Sequence, residues 1–196
     1  VVMVPKDGAE LRRMVEFAHR HEDGPSAVRY PRGNTASLDE SSVPPIELGK
    51  AHLLQPGRDV VLLAVGTMVA VAEKIAEPLK DTGFSVAVVN GRFVKPLDAE
   101  LITALASTAH LLVTLEENTV HGGFGSGVLE VLSEAGVTVP TQVFGIPDRF
   151  IAQGSPDQQR EEAGLSAEQV LAKIRGRLFA LQASPRRGRT KQRMPA

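Results

Sequence analysis

The chain has 196 residues, of which 42% are hydrophobic, 23% charged and 4% aromatic, with a formal net charge of −1. This fits one domain of ordinary size plus a remainder, is too apolar for a disordered chain, and contains no apolar run near the roughly 18 residues that cross a membrane. With no Cys there is no disulfide, zinc ribbon, iron–sulfur ligand or thiol nucleophile, and with no Trp and a single Tyr (Tyr30) there is no stacking platform for single-stranded nucleic acid.

Val1-Val2-Met3-Val4 reads as a strand, and Asp7 with Glu10 three positions later reads as a capping box. Leu11, Met14, Val15 and Ala18 recur at the spacing of one helix face, Glu22-Asp23-Gly24-Pro25 breaks the helix, and Ser26 to Tyr30 resumes as a strand. Residues 1–33 are thus a βαβ unit. Parallel strands of this composition are normally covered on both faces, and pieces below about 40 residues rarely fold alone. The unit is therefore expected to be the end of a larger α/β domain. Residues 34–45, with Ser41-Ser42 and Pro44-Pro45, read as a linker.

From residue 46 the pattern becomes regular. Residues 49–54 predict a short strand, set by the Pro56-Gly57 turn as an antiparallel edge, and Val60-Val61-Leu62-Leu63-Ala64-Val65 predicts a central strand buried on both faces. Gly66-Thr67 opens a helix to about residue 81, with Pro78 expected to kink or shorten its last turn. A strand over 84–89, a helix over 99–109 capped by Asp98, and a strand over 111–115 follow. The glycine cluster Gly122-Gly123-Phe124-Gly125-Ser126-Gly127 then feeds a helix, 139–144 is a further strand, and helices over 156–163 and 166–181 close the unit. The alternation predicts a mostly parallel, doubly covered sheet spanning 46–181. Residues 182–196 carry Arg186, Arg187, Arg189, Lys191 and Arg193. This tail reads as a solvated, disordered terminus rather than a nucleic-acid or lipid anchor, so neither partner is expected. No secretory or transit segment opens the chain, which predicts a cytoplasmic protein.

The glycine cluster sits where a phosphate-binding turn would, yet after Gly123 and Gly125 the third dinucleotide position falls on Val128. Close backbone packing is the favoured reading. Glu116 and Glu117, adjacent on a strand, point to opposite faces and cannot act on one atom, although Glu117 is placed to accept from the glycine turn. His19, His21, His52, His110 and His121 show no metal-ligand spacing. Ser126 lacks the flanking glycines of a nucleophile elbow, because Phe124 and Val128 stand there. Arg29-Tyr30-Pro31-Arg32-Gly33 lies past the carboxyl end of a parallel strand, the edge where open α/β sheets bind ligands. An arginine there can present its guanidinium fork to a phosphate, or can form a surface salt bridge with Asp39 or Glu40.

Four runs carry a family resemblance: residues 23–34, with Tyr30-Pro31-Arg32-Gly33; Arg92-Phe93-Val94-Lys95-Pro96-Leu97-Asp98; Glu116-Glu117-Asn118 with the glycine cluster; and Gly145-Ile146-Pro147-Asp148-Arg149-Phe150-Ile151 with Gln153-Gly154. Over residues 1–179 the chain resembles the C-terminal portion of the 1-deoxy-D-xylulose-5-phosphate synthases of the transketolase superfamily. The resemblance implies that 1–33 ends a pyrimidine-binding domain and that 46–181 is a transketolase C-terminal-like domain. It implies a homodimer that condenses pyruvate with glyceraldehyde 3-phosphate, with thiamine diphosphate and Mg²⁺ held by upstream parts. By it, Arg32 binds the phosphate of the aldehyde substrate; no catalytic, cofactor or metal residue lies in this chain, which is then expected to bind no cofactor and to be inactive alone. A non-catalytic interaction module, or a β-type subunit of a 2-oxoacid dehydrogenase, is the alternative.

Overall fold

The computed structural model describes residues 1–35 and 39–183; the basic tail lies outside them. The elements run β1 (Val2–Met3), α1 (Gly8–Arg20), β2 (Ala27–Val28), a short 3₁₀ turn (Glu40–Ser42), β3 (His52–Gln55), β4 (Val60–Ala64), α2 (Met68–Lys80), β5 (Val86–Asn90), β6 (Phe93–Lys95), α3 (Ala99–Ala106), β7 (Leu111–Thr119), α4 (Phe124–Glu134), β8 (Thr141–Ile146), α5 (Pro156–Ala163) and α6 (Ala167–Ala183).

Five strands form the main sheet in the order β3-β5-β4-β7-β8. β5, β4, β7 and β8 are parallel and β3 is an antiparallel edge, so the expected α/β class and edge strand are found. The edge pairs with β5, not with β4 across the Pro56-Gly57 turn. Alternation along the strands explains why the runs are continuously apolar. Val60, Leu62 and Ala64 of β4 face the cluster built with α2 and α6, whereas Val61 and Leu63 face the cluster built with Ile102 and Ala106 of α3 and Phe124, Val128 and Leu132 of α4. Pro78 stays inside α2, and its carbonyl accepts from Arg175 of α6 at 2.8 Å.

β6 has no counterpart in the sequence reading. It pairs antiparallel with β1, which pairs parallel with β2, giving a second sheet in the order β2-β1-β6. Phe93 of β6 closes a small core with Met3 and Met14, all three fully buried. The N-terminal unit is therefore covered in part by the chain's own residues. Val15 nevertheless stays 51% exposed, and β2 is left as an open edge.

α1 turns its predicted face inward only in part: Met14 is buried, and Leu11 and Ala18 are half-buried, but Val15 is exposed, and Gly8, Ala9 and Glu10 are buried in addition. The buried Glu10 carboxylate is fully partnered. Glu10 Oε1 accepts from Asn90 Nδ2 at 2.9 Å and from Arg92 Nε at 2.8 Å, while Oε2 accepts from the Lys6 amide at 2.8 Å. Arg92 also donates to the carbonyls of Pro45 and Pro44, pinning the linker. Its φ of 56° lies in the left-handed region, where a bulky side chain stays only when its surroundings hold it. Gly66 turns the chain beside this junction: its φ is +61°, and a Cβ there would lie 2.8 Å from Val4 Cγ1.

Candidate functional site

In a sheet ordered β5-β4-β7-β8, the chain leaves β4 for β5 on one side and returns to β7 on the other. The connections diverge between the carboxyl ends of β4 and β7, the switch point where open α/β sheets bind ligands. A cleft of about 600 Å³ opens there, lined by Arg32, Thr67, Glu117, Ile146, Ile151 and Arg160 among others. A smaller hollow of about 290 Å³, bordered by Val4, Arg29, Tyr30 and Gly66, adjoins it and shares Pro31, Thr67 and Glu117.

Strand parity puts the two acidic residues of β7 on opposite faces, as the sequence predicts. Glu116 lies on the α4 side, is 1% exposed, and accepts from the amides of Phe124 at 2.9 Å and Gly125 at 2.8 Å. Thus Glu116, not Glu117, binds the glycine turn. A Cβ on Gly123 would come within 2.4 Å of Glu116 Oε2 and 2.3 Å of the Thr119 carbonyl. The turn has already spent two of its donors on an internal carboxylate at the helix N-terminus, so it does not suit a diphosphate.

Glu117 faces the cleft. Its Oε1 accepts from Arg160 Nη1 at 2.7 Å, and its Oε2 takes a short hydrogen bond from the Thr67 hydroxyl. Arg160 Nη2 donates to Asp157 at 2.6 Å. Burial works against charge on Arg160, but the hydrogen bonds to Glu117 and Asp157 outweigh it and hold the guanidinium above its ordinary value. α5 buries none of its own residues; Ala163 packs against the main core and this partly solvated ion pair adds a second contact with the sheet.

Arg32 also lines this cleft, exposed, on a loop anchored where Thr35 Oγ1 accepts from the Gly8 amide at 2.8 Å. The surface salt bridge considered from the sequence is not formed with Glu40, which pairs instead with Arg13 at 3.1 Å and Arg12 at 3.5 Å. Asp39 accepts from the Ser41 amide. Among the described residues Arg32 makes no ion pair, so its donors remain available at the cleft.

The histidines do not converge, and among the described residues no group of three His, Asp or Glu side chains is placed to hold a metal ion. His21 stacks on Phe17, His110 lies 3.7 Å from Asp59, and His121 is exposed. His52 is half-buried with Nδ1 unbonded; burial, followed by the charge of Arg92, lowers its pKa. Sequence reasoning missed Thr67 and Arg160. Thr67 had a signal, since it directly follows the central strand and its glycine; Arg160 had none.

The open, doubly wound sheet with a mixed-charge cleft at its carboxyl edge defines an α/β domain. The family model "Transketolase, C-terminal domain" matches residues 49–170. The chain belongs to that family. It is 48% identical over 176 residues to the 1-deoxy-D-xylulose-5-phosphate synthase of Thermosynechococcus vestitus, and 46% identical over 180 residues to that of Crocosphaera subtropica. These alignments cover 89% and 91% of this chain but 28% of each relative's length. Among solved structures, one described as "Split gene transketolase, inactive beta4 tetramer" superposes with a TM-score of 0.78 at 35% identity, covering 91% of this chain and 57% of that one. A transketolase from Campylobacter jejuni shares the fold, with a TM-score of 0.64 at 21% identity, over 89% of this chain and 26% of that one.

Proposed function

We propose that this chain supplies the C-terminal part of a synthase that condenses pyruvate with glyceraldehyde 3-phosphate, releasing CO₂ and forming 1-deoxy-D-xylulose 5-phosphate, and that Arg32 holds the phosphate of the aldehyde. The similarity to two synthases along about nine-tenths of the chain supports the reaction. The observation that carries the arginine's role is local: Arg32 has no counter-ion among the described residues and borders the cleft at the sheet's carboxyl edge. A guanidinium fork matches a phosphate in charge and in geometry, and fixing that end of the aldehyde orients its carbonyl for carbon–carbon bond formation.

The reaction calls for thiamine diphosphate and Mg²⁺, which supply the carbon nucleophile and the electron sink when bound. The residues described here do not fit that group: the glycine turn is closed by Glu116, and the acidic side chains do not gather into a metal site. On this reading the cofactor is held by other parts of the complete enzyme. This chain alone is then inactive and contributes packing to a homodimer. The structural neighbour described as an inactive tetramer of β chains supports the view that such a piece assembles without turning over.

The test is Arg32→Ala in the complete enzyme. A charge-assisted contact of this kind is worth about 1.5–3 kcal/mol, so the KM for glyceraldehyde 3-phosphate should rise about 10- to 100-fold while the KM for pyruvate stays put. An unchanged dependence on the aldehyde removes Arg32 from the site.

A further inference from the structure

We propose that the cleft between β4 and β7 selects phosphorylated ligands that carry free hydroxyl groups, with Glu117 accepting a ligand hydroxyl beside the phosphate held by Arg32 and keeping Arg160 off that phosphate. This rests on Arg32 being the phosphate arm and goes further by giving Glu117, which lines the same cleft, a role. Glu117 borders both the larger cleft and the smaller hollow, so its carboxylate stands where the two spaces meet. A carboxylate in an anion site would normally repel the ligand. Here its charge is offset by Arg160 at 2.7 Å, and the Thr67 hydroxyl donates to its other oxygen.

That neutralisation leaves acceptor capacity. A carboxylate offers about four lone-pair positions, and two are used, one on each oxygen. The side chain is 23% exposed, so the remaining positions are reachable from the cleft. The donor that fits is uncharged, because Glu117 already has its cation; in a small phosphorylated molecule that donor is a hydroxyl. Arg160 meanwhile spends one Nη on Glu117 and the other on Asp157. A bare phosphate entering the larger cleft therefore meets Arg32 without a competing ion pair, while Arg29 borders the adjoining hollow. Ile146, Ile151 and Leu165 add apolar lining to the same cleft, suited to a short carbon chain.

The roles separate on titrating the 196-residue chain with inorganic phosphate and with glycerol 3-phosphate, following amide NMR shifts. The unaltered chain should bind glycerol 3-phosphate about 10-fold more tightly than inorganic phosphate, the discrimination that one hydrogen bond to a charged acceptor provides. Glu117→Ala should abolish that preference and, by releasing Arg160, tighten inorganic phosphate about 3- to 10-fold. The double variant Glu117→Ala/Arg160→Ala frees no new cation, so it should lose the preference without gaining affinity for inorganic phosphate. Arg32→Ala should weaken both ligands about 10-fold or more.

If Glu117→Ala and the double variant keep the wild-type preference while Arg32→Ala weakens both ligands, the Glu117 assignment is wrong and Arg32 stands. If Arg32→Ala changes neither affinity, the phosphate arm itself is misassigned and both readings go.

Discussion

The junction around Glu10 and the cleft around Glu117 are made of the same parts: a carboxylate, an arginine and a small polar donor. At the junction Glu10 is fully buried, Arg92 is 3% exposed, and Asn90 and the Lys6 amide complete the carboxylate's partners. In the cleft Glu117 and Arg160 are 23% and 26% exposed, and their contacts face open volume. Burial turns the first set into a lock, because neither ion has water to fall back on when its partner goes. Partial solvation leaves the second set exchangeable, since an incoming ligand or water can replace either partner at small cost. Depth alone thus separates two chemically similar clusters into a buried lock and a solvent-facing pair.

The comparison breaks most visibly at the junction. Glu10→Ala leaves the Arg92 guanidinium buried without its anion, and truncating one member of a buried pair costs about 3–5 kcal/mol. Urea denaturation should show that loss, and a change below about 1 kcal/mol would mean that water enters the junction freely. The closed glycine turn ranks next. Gly123→Ala places a Cβ against Glu116 and the Thr119 carbonyl, and overpacking of this kind costs about 1–3 kcal/mol in the same assay.

Arg160→Ala sharpens the contrast from the other side. The pair is partly solvated, so stability should fall by no more than about 1 kcal/mol, and a loss on the scale of Glu10→Ala would show that the cleft is structural after all. The smallest effect concerns pH. His52, beside Arg92, has a pKa lowered from 6.5, so the unfolded chain takes up its proton at a higher pH than the folded one. Stability should therefore fall as the pH drops below about 6.5, and His52→Gln should flatten that part of the profile in thermal melts across pH 5–7.5.

Much of the architecture was readable in advance because its signals are local. The apolar run at 60–65 marked a strand covered on both faces, and the helix over 156–163 stands at its predicted limits. The period of two on a strand was enough to send Glu116 and Glu117 to opposite faces. β6 escaped because three residues are too few to show a period, and it exists by pairing with β1. On α1 the predicted Met14 and Ala18 do pack inward, but Val15 does not and Glu10 does, because a satisfied carboxylate can occupy a core position that hydropathy assigns to a hydrocarbon.

For the cleft, Arg32 was legible from its place past a strand end and from family resemblance. Its lack of a counter-ion was not, since that depended on Glu40 turning toward Arg12 and Arg13. Periodicity, caps and turn residues dictate strands, helices and the direction each side chain leaves the backbone, because they act within a few positions. Which groups then meet is decided by packing: Glu117 finds Arg160 at 43 positions' remove, and Glu10 finds Arg92 across 82, distances over which hydropathy patterns carry no pairing information.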